Sequence, residues 1–254
     1  MCSLLIALVA LLFASPASAQ ATGSAATESE STPTSATFTG TATSANARFV
    51  VAGYQQLLGR AADTGGLDFH VGRLAAGGDR TRHAFTYAML FSVEGSRQEV
   101  RRAYQGLLGR NADAVGEDYW TNHLQGHGVL DLRVLLMSSD EYYRYSGDTD
   151  TDWLEALYLD VLGRGSDQEG LEYWLDVLNS GVPRQLVVAG MYLSDEALGN
   201  RVDAYYQESL GRAPNETERA GAISTIRQHG ERGLRAEIWA SDEVYESYLQ
   251  AALS

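Results

Sequence analysis

The chain has 254 residues, of which 33 are acidic and 19 basic, and its formal net charge is −14. This excess of negative charge argues against nucleic acids and anionic membrane surfaces as partners, because both are bound through basic patches. The one cysteine, Cys2, lies in a segment that we expect to be removed, which would leave no thiol for disulfide or thiolate chemistry.

Residues 1–19 have the pattern of a signal peptide. The uncharged apolar run from Leu4 to Ala14 is shorter than the roughly 20 residues that span a bilayer. It leads to Ala17-Ser18-Ala19, whose small side chains suit signal peptidase, so we place the cleavage after Ala19. Met1-Cys2-Ser3 carry no basic residue, which leaves an upstream start codon open. The alternative for this segment is an N-terminal core helix.

Residues 20–46 form a linker that consists almost entirely of Ala, Ser, Thr and Gly. Such a composition buries too little apolar surface to offset the entropy of ordering, so we expect this linker to be disordered. Its density of Ser and Thr also suits O-glycosylation, and a plain flexible spacer is the alternative.

Self-comparison divides the rest of the chain into four related units of about 50 residues, which are 47–97, 98–148, 149–200 and 201–254. In each unit a tyrosine precedes a Leu-Gly-Arg segment, and a serine followed two positions later by a glutamate closes the unit. Units one to three also share an aspartate three residues after the arginine and a glycine three residues further on. The motif residues are Gly59, Arg60, Asp63, Gly66, Gly109, Arg110, Asp113, Gly116, Gly163, Arg164, Asp167, Gly170, Gly211 and Arg212.

Unit four departs from this pattern. Asn215 replaces the aspartate, Glu218 replaces the glycine, and Gly221-Ala222 replaces an aromatic pair that the other units carry. Terminal units of repeat arrays often change because one face no longer meets a neighbour. We therefore expect unit four to end a stack of units.

Unit three indicates that each unit contains about three helices. Leu154, Leu157, Tyr158 and Val161 recur at helical spacing, and Gly163 is placed to end that helix in a left-handed conformation. Asp167 is placed to cap the next helix. No segment alternates convincingly between apolar and polar residues. The sequence therefore predicts an all-α fold, built as an array of four related helical repeats behind the signal peptide and linker.

The motifs of residues 47–254 resemble a bacterial family labelled domain of unknown function 4214. Unit three matches best, through Tyr158, Leu162-Gly163-Arg164, Asp167, Gly170-Leu171 and Tyr173-Trp174. The pattern is also similar to the helical linker domain of cyanobacterial phycobilisomes. The resemblance implies a helical module of the kind found in secreted, surface-layer and polysaccharide-associated bacterial proteins. It brings no catalytic residues with it.

The repeated arginine and the acids each allow two interpretations. The arginine is expected to be a structural bridge to helix-end carbonyls and nearby carboxylates, and an anion or glycan contact is the alternative. The acids Asp63 and Asp68, Asp113 and Asp118, and Asp167 and Glu172 are candidate calcium ligands, since calcium prefers carboxylate oxygens. The EF-hand order is absent, and helix capping by the aspartate is the simpler interpretation.

Seven aromatic residues are candidate ligand contacts, because such rings anchor interfaces and stack on sugars. They are Tyr119, Trp120, Tyr142, Tyr143, Tyr145, Tyr173 and Trp174. The two tryptophans have core spacing as well. The tyrosine cluster 142–145, which is Tyr142, Tyr143 and Tyr145, runs into a predicted loop and is expected to be exposed.

These observations favour an exported, non-catalytic module that binds or scaffolds at the bacterial cell surface or in the extracellular matrix. The partner would be a surface protein or an extracellular polysaccharide, with no cofactor and no transmembrane segment in the mature chain. The first alternative is a carbohydrate- or calcium-dependent binding domain. A glycan-acting enzyme is a weaker alternative, since no catalytic motif is found.

Overall fold

A computed structural model describes residues 45–77 and 79–250. The predicted signal peptide and residues 20–44 of the predicted linker lie outside this part. All regular structure within the described residues is helical, without a β-strand, which confirms the predicted fold class. In chain order the helices are α1 (Ala45–Gly53), α2 (Thr64–Gly77), α3 (Asp79–Phe91), α4 (Val93–Leu108), α5 (Ala114–His123), α6 (Val129–Met137), α7 (Asp140–Tyr145), α8 (Asp150–Leu157), α9 (Gln168–Asn179), α10 (Arg184–Tyr192), α11 (Asp195–Leu210), α12 (Glu216–Ala240) and α13 (Asp242–Gln250).

The first helix begins at Ala45, so the last two residues of the predicted linker belong to the helix. π-Helical turns continue α1 and α8 over Tyr54–Leu58 and Tyr158–Leu162. None of the helices in the described part combines the length and apolar character that crossing a membrane requires.

Each Leu-Gly-Arg segment ends a helix. The glycines adopt left-handed conformations with φ of 73°, 64°, 67° and 68°, where a side chain would be strained. They are Gly59, Gly109, Gly163 and Gly211. The helix end predicted at Gly163 is therefore confirmed, and the chain turns at the same motif in every unit.

The helices follow one another in the same order in residues 45–145 and in residues 150–250. Units one and three both contain a π-helical turn, and a 16-residue helix leads from unit one into unit two and from unit three into unit four, as α4 and α11. The long helix α12 corresponds to α5 and α6 joined across a kink at Gly230, whose φ is 71° and ψ 176°. The described part of the fold therefore consists of two similar halves.

The two halves of the chain pack against each other. Arg82 of unit one pairs with Asp242 of unit four, and Arg184 of unit three pairs with Asp140 of unit two at 3.0 Å. Each guanidinium also lies over a tyrosine ring, of Tyr245 and of Tyr143 respectively, at 4.8 and 4.3 Å. These reciprocal contacts give the molecule approximate two-fold symmetry.

The packing of the two halves forms two hydrophobic cores. One is formed by units one and four, including Phe49 and Trp239, and the other by units two and three, including Trp153 and Leu132. Each core thus takes half of its side chains from each half of the chain. The expectation that unit four lacks a neighbour on one face is therefore wrong, because unit four packs against unit one.

Candidate functional site

The four repeated arginines make the same bridge in every unit. The Nη2 atoms of Arg60, Arg110 and Arg164 donate to the closing glutamate at 2.9, 2.6 and 3.1 Å, and Nε of each arginine donates to the same carboxylate. Arg212 does the same, at 2.6 Å from both nitrogens. The partners are Glu94, Glu141, Glu196 and Glu243.

The other contacts of these arginines are also internal. Nη1 donates to the carbonyl of the next residue in each unit, at 2.8 to 3.2 Å. The guanidinium carbon lies 4.9 to 5.5 Å from the centre of the tyrosine ring of the preceding helix. The contacts are those expected of a structural bridge and leave few donors for a ligand.

The aspartates proposed as calcium ligands cap helices. Asp63, Asp113 and Asp167 each accept a bond of 2.8 Å from the backbone amide of the motif glycine. In unit four Asn215 accepts from the Glu218 amide at 2.9 Å, and the Glu218 carboxylate accepts from the Asn215 amide. This capping box replaces the aspartate and explains how unit four tolerates its substitutions.

The second acid of each proposed calcium pair is engaged elsewhere or exposed. Asp118 accepts from Arg97 at 3.3 Å, Glu172 accepts from Gln168 at 2.9 Å, and Asp68 is exposed. Across residues 45–77 and 79–250, no three His, Cys, Asp or Glu side chains are grouped so that they could hold a metal ion. Within this described part, none of the predicted carboxylate pairs belongs to such a group.

The aromatic pairs have one geometry in units one to three. The two rings meet edge to face, with centroids 5.0, 5.2 and 5.1 Å apart. The first ring is exposed, at 57 % for Phe69, 61 % for Tyr119 and 45 % for Tyr173. The second ring is turned inward, since Trp120 is buried and Trp174 is half-buried. Only the first member of each pair is well placed to contact a ligand.

The tyrosine cluster 142–145 is not exposed as a whole, which corrects the expectation. Tyr142 is fully buried, and its hydroxyl donates to Asp160 at 2.6 Å, because α7 turns this side chain into the core. Burial raises the pKa of Tyr142. Tyr143 is half-buried beneath the guanidinium of Arg184, and Tyr145 alone is largely exposed.

A cluster of buried charges lies where the two halves meet, and sequence reasoning did not find it. Glu231 accepts from the hydroxyls of Tyr192 at 2.7 Å and Tyr205 at 2.6 Å, and Arg201 Nε lies 3.2 Å from the same carboxylate. Although burial opposes ionisation, the neighbouring arginines hold the pKa of Glu231 below its usual value. Glu231 is therefore a buried, ionised carboxylate.

A second buried carboxylate completes the cluster. Glu99 accepts from Arg133 at 3.0 Å and from Arg235 at 3.4 Å. Arg133 and Arg235 occupy equivalent places in the two halves, since Leu132-Arg133 in unit two repeats as Leu234-Arg235 in unit four. That repetition is the sequence signal that could have revealed the cluster.

A cavity of about 700 Å³ opens beside Glu231, between α6, α11 and the kink of α12. Its walls include Leu130, Leu193, Leu198 and Ile226. The equivalent cavity on the other side of the two-fold axis is smaller, about 270 Å³, and Arg232 of α12 lines it. Arg232 donates to the carbonyls of Leu124 at 2.6 Å and His127 at 3.0 Å and to Ser96 Oγ at 3.1 Å. The residue equivalent to Arg232 is Leu130, so the open cavity offers mainly apolar contacts.

The arginine bridges predict acid sensitivity. Hydrogen bonds from arginine hold the pKa of Glu141, Glu196 and Glu243 below the usual range, and Arg212 lowers the pKa of Glu218 to about 2. Carboxylates with a lowered folded-state pKa stabilise the fold fully above their unfolded pKa of about 4.3, and this stabilisation is lost as the pH falls through the folded-state value. We therefore expect the melting temperature to fall between about pH 5 and pH 2.

Differential scanning calorimetry across this pH range tests the prediction. The Glu243→Gln variant should melt lower at pH 6 and show a shallower fall toward pH 2, because it lacks one titrating bridge. A wild-type melting temperature that stays constant down to pH 2 would contradict the role of the bridges.

A comparison with family models finds matches at residues 29–99 and 134–201, together more than half of the chain. Both matched segments end at equivalent positions of the two halves, Glu99 and Arg201. No curated protein and no solved structure matches the chain. The chain belongs to the family described as domain of unknown function (DUF4214).

Proposed function

We propose that this protein is an exported, non-catalytic module that binds an extracellular polysaccharide at the bacterial cell surface or in the extracellular matrix. The observation that carries the proposal is the exposed ring at the same position of three units, in Phe69, Tyr119 and Tyr173. The predicted linker, of which residues 20–44 precede α1, would hold the helical part away from its anchor or simply trail from it. The charge of −14 favours a neutral or cationic partner.

The surroundings of the exposed rings support binding. Each ring rests against the edge or face of its inward partner, so little rotamer freedom is lost when a ligand stacks on it. A flat aromatic face provides apolar contact to the similarly flat face of a sugar ring. Three equivalent contacts on one rigid body suit a ligand whose structure also repeats, because simultaneous engagement raises the overall affinity.

Co-sedimentation of the mature chain with cell walls and extracellular polysaccharide tests this function. The triple variant Phe69→Ala, Tyr119→Ala, Tyr173→Ala should lose about 100-fold in apparent affinity. Tyr145→Ala is the matched control, since it removes an equally exposed tyrosine outside the aromatic pairs and should bind like wild type.

The outcomes separate the alternatives. Retention that is unaffected by the triple variant would contradict ring-mediated binding and favour a scaffold that contacts a surface protein. Retention and a melting temperature that both depend on a chelator would favour the calcium-dependent domain instead. Turnover of cell-wall polymers that a single Asp or Glu substitution abolishes would favour the glycan-acting enzyme.

A further inference from the structure

The inward ring of each aromatic pair fills a slot between the second and third helices of its unit. In unit three the ring of Trp174 packs on Gly190 of α10, so closely that an added Cβ at Gly190 would lie 3.1 Å from it. In unit two Trp120 takes the equivalent place and is buried. An indole ring is thus the natural occupant of this slot.

The unfilled volume of the slot is larger in the units whose inward residue is smaller. In unit one the residue is His70, and a cavity of about 100 Å³ remains beside it, lined also by Leu74, Phe85 and Ala88. In unit four the residue is Ala222, and the cavity grows to about 340 Å³. The unit-four slot therefore corresponds to the space that an indole ring fills in units two and three. Its volume falls in the range of small-ligand sites.

The walls of the unit-four slot combine apolar and acidic groups. Tyr206, Leu210, Leu234 and Ile238 line it, and Glu237 stands at the position that Gly190 occupies in unit three. The Glu237 carboxylate accepts a bond of 3.3 Å from the hydroxyl of Thr225.

The charged groups around the slot are mostly negative. Arg212 lines it together with Glu218, Glu237 and Glu243. Arg212 is already paired with Glu218 and Glu243 at 2.8 and 2.6 Å, which leaves Glu237 without an arginine in the slot. The slot thus favours a ligand with a positive charge beside an aromatic ring.

We propose that the unit-four slot binds a small aromatic amine, namely a ring of indole size carrying an ammonium group. The ring takes the place that Trp174 fills in unit three, and the ammonium group pairs with Glu237. This site is separate from the exposed rings of the proposed polysaccharide contact, and unit four carries no such ring because Gly221 replaces it.

Isothermal titration of the mature chain with tryptamine tests the proposal. We expect tryptamine to bind at least tenfold more tightly than indole-3-propionate, which has the same ring and the opposite charge, or butylamine, which lacks the ring. Glu237→Gln should reduce this tenfold preference for the cation while still accepting the ring.

A double variant tests the location. Ala222→Trp with Glu237→Gly recreates the Trp174 and Gly190 pair of unit three and should abolish tryptamine binding. Glu216→Gln is the control on the same helix, because it removes an exposed glutamate that does not line the slot, and it should bind as wild type does. Circular dichroism shows whether each variant is folded. Unchanged tryptamine affinity in the folded double variant, or equal affinity for indole-3-propionate, would overturn the proposal.

Discussion

Replacement of Glu231 by alanine is expected to lower the free energy of unfolding by about 3–5 kcal/mol. The substitution removes the acceptor of two tyrosine hydroxyls and the charge facing Arg201. Arg201, whose side chain is 14 % exposed, would keep an uncompensated charge in this largely buried place, which costs more than the original pair contributes. Urea denaturation followed by circular dichroism measures the effect.

Two further variants show whether the loss of stability is specific to the buried charge of Glu231. Glu246→Ala removes an exposed glutamate of α13 and should change the free energy of unfolding by less than about 0.5 kcal/mol. Glu231→Gln keeps a hydrogen-bond acceptor but not the charge. Its loss in the free energy of unfolding should lie between the losses caused by Glu231→Ala and Glu246→Ala. If Glu231→Ala is no more destabilising than Glu246→Ala, the buried carboxylate does not stabilise the fold.

Trp153→Ala is expected to destabilise the protein by about 3–5 kcal/mol through the loss of a fully buried ring. Trp153 lies on α8 in the second half of the chain, and its indole Nε1 donates to the carbonyl of Met137 in the first half at 2.8 Å. The substitution therefore leaves a cavity in the core of units two and three and an unpaired carbonyl beside it.

Trp153→Phe separates the two contributions, since it retains most of the ring and loses only the hydrogen bond. In urea denaturation, Trp153→Phe should lower the free energy of unfolding clearly less than Trp153→Ala does. Tyr145→Ala, at an exposed ring, is expected to shift the free energy of unfolding by less than about 0.5 kcal/mol. A Trp153→Ala effect of that same small size would show that the core relaxes to fill the gap.

Local features of the fold were predictable because they depend on residues a few positions apart. The left-handed conformation of Gly163 and the Asp167 cap need only their own turn of chain, and both are present as predicted. The all-helical class followed from apolar spacing for the same reason.

Features that join distant parts of the chain were not predicted. Nothing in the sequence around Arg82 or Asp242 indicates that these side chains pair with each other across the two halves and do not simply face solvent. A charged residue such as Glu231 is normally assigned to the surface, and only the surrounding tyrosines and arginines make its burial tolerable. The inward turn of Tyr142 likewise depends on how α7 packs.

The reciprocal packing of the halves also indicates how such a chain could arise. A polypeptide of only two units would expose one side of each core and could cover it only against a second copy of itself. Fusion of two such copies would give the present order of helices, with residues 146–149 as the join between former subunits. Asn46 and Phe49 of α1 contact Tyr245 of α13, so the two ends of the described fold lie side by side, as a head-to-tail duplication of a symmetric homodimer requires. Covalent linkage then frees the two copies to diverge, so that the cavity beside Arg232 has about 270 Å³ and its counterpart beside Leu130 about 700 Å³.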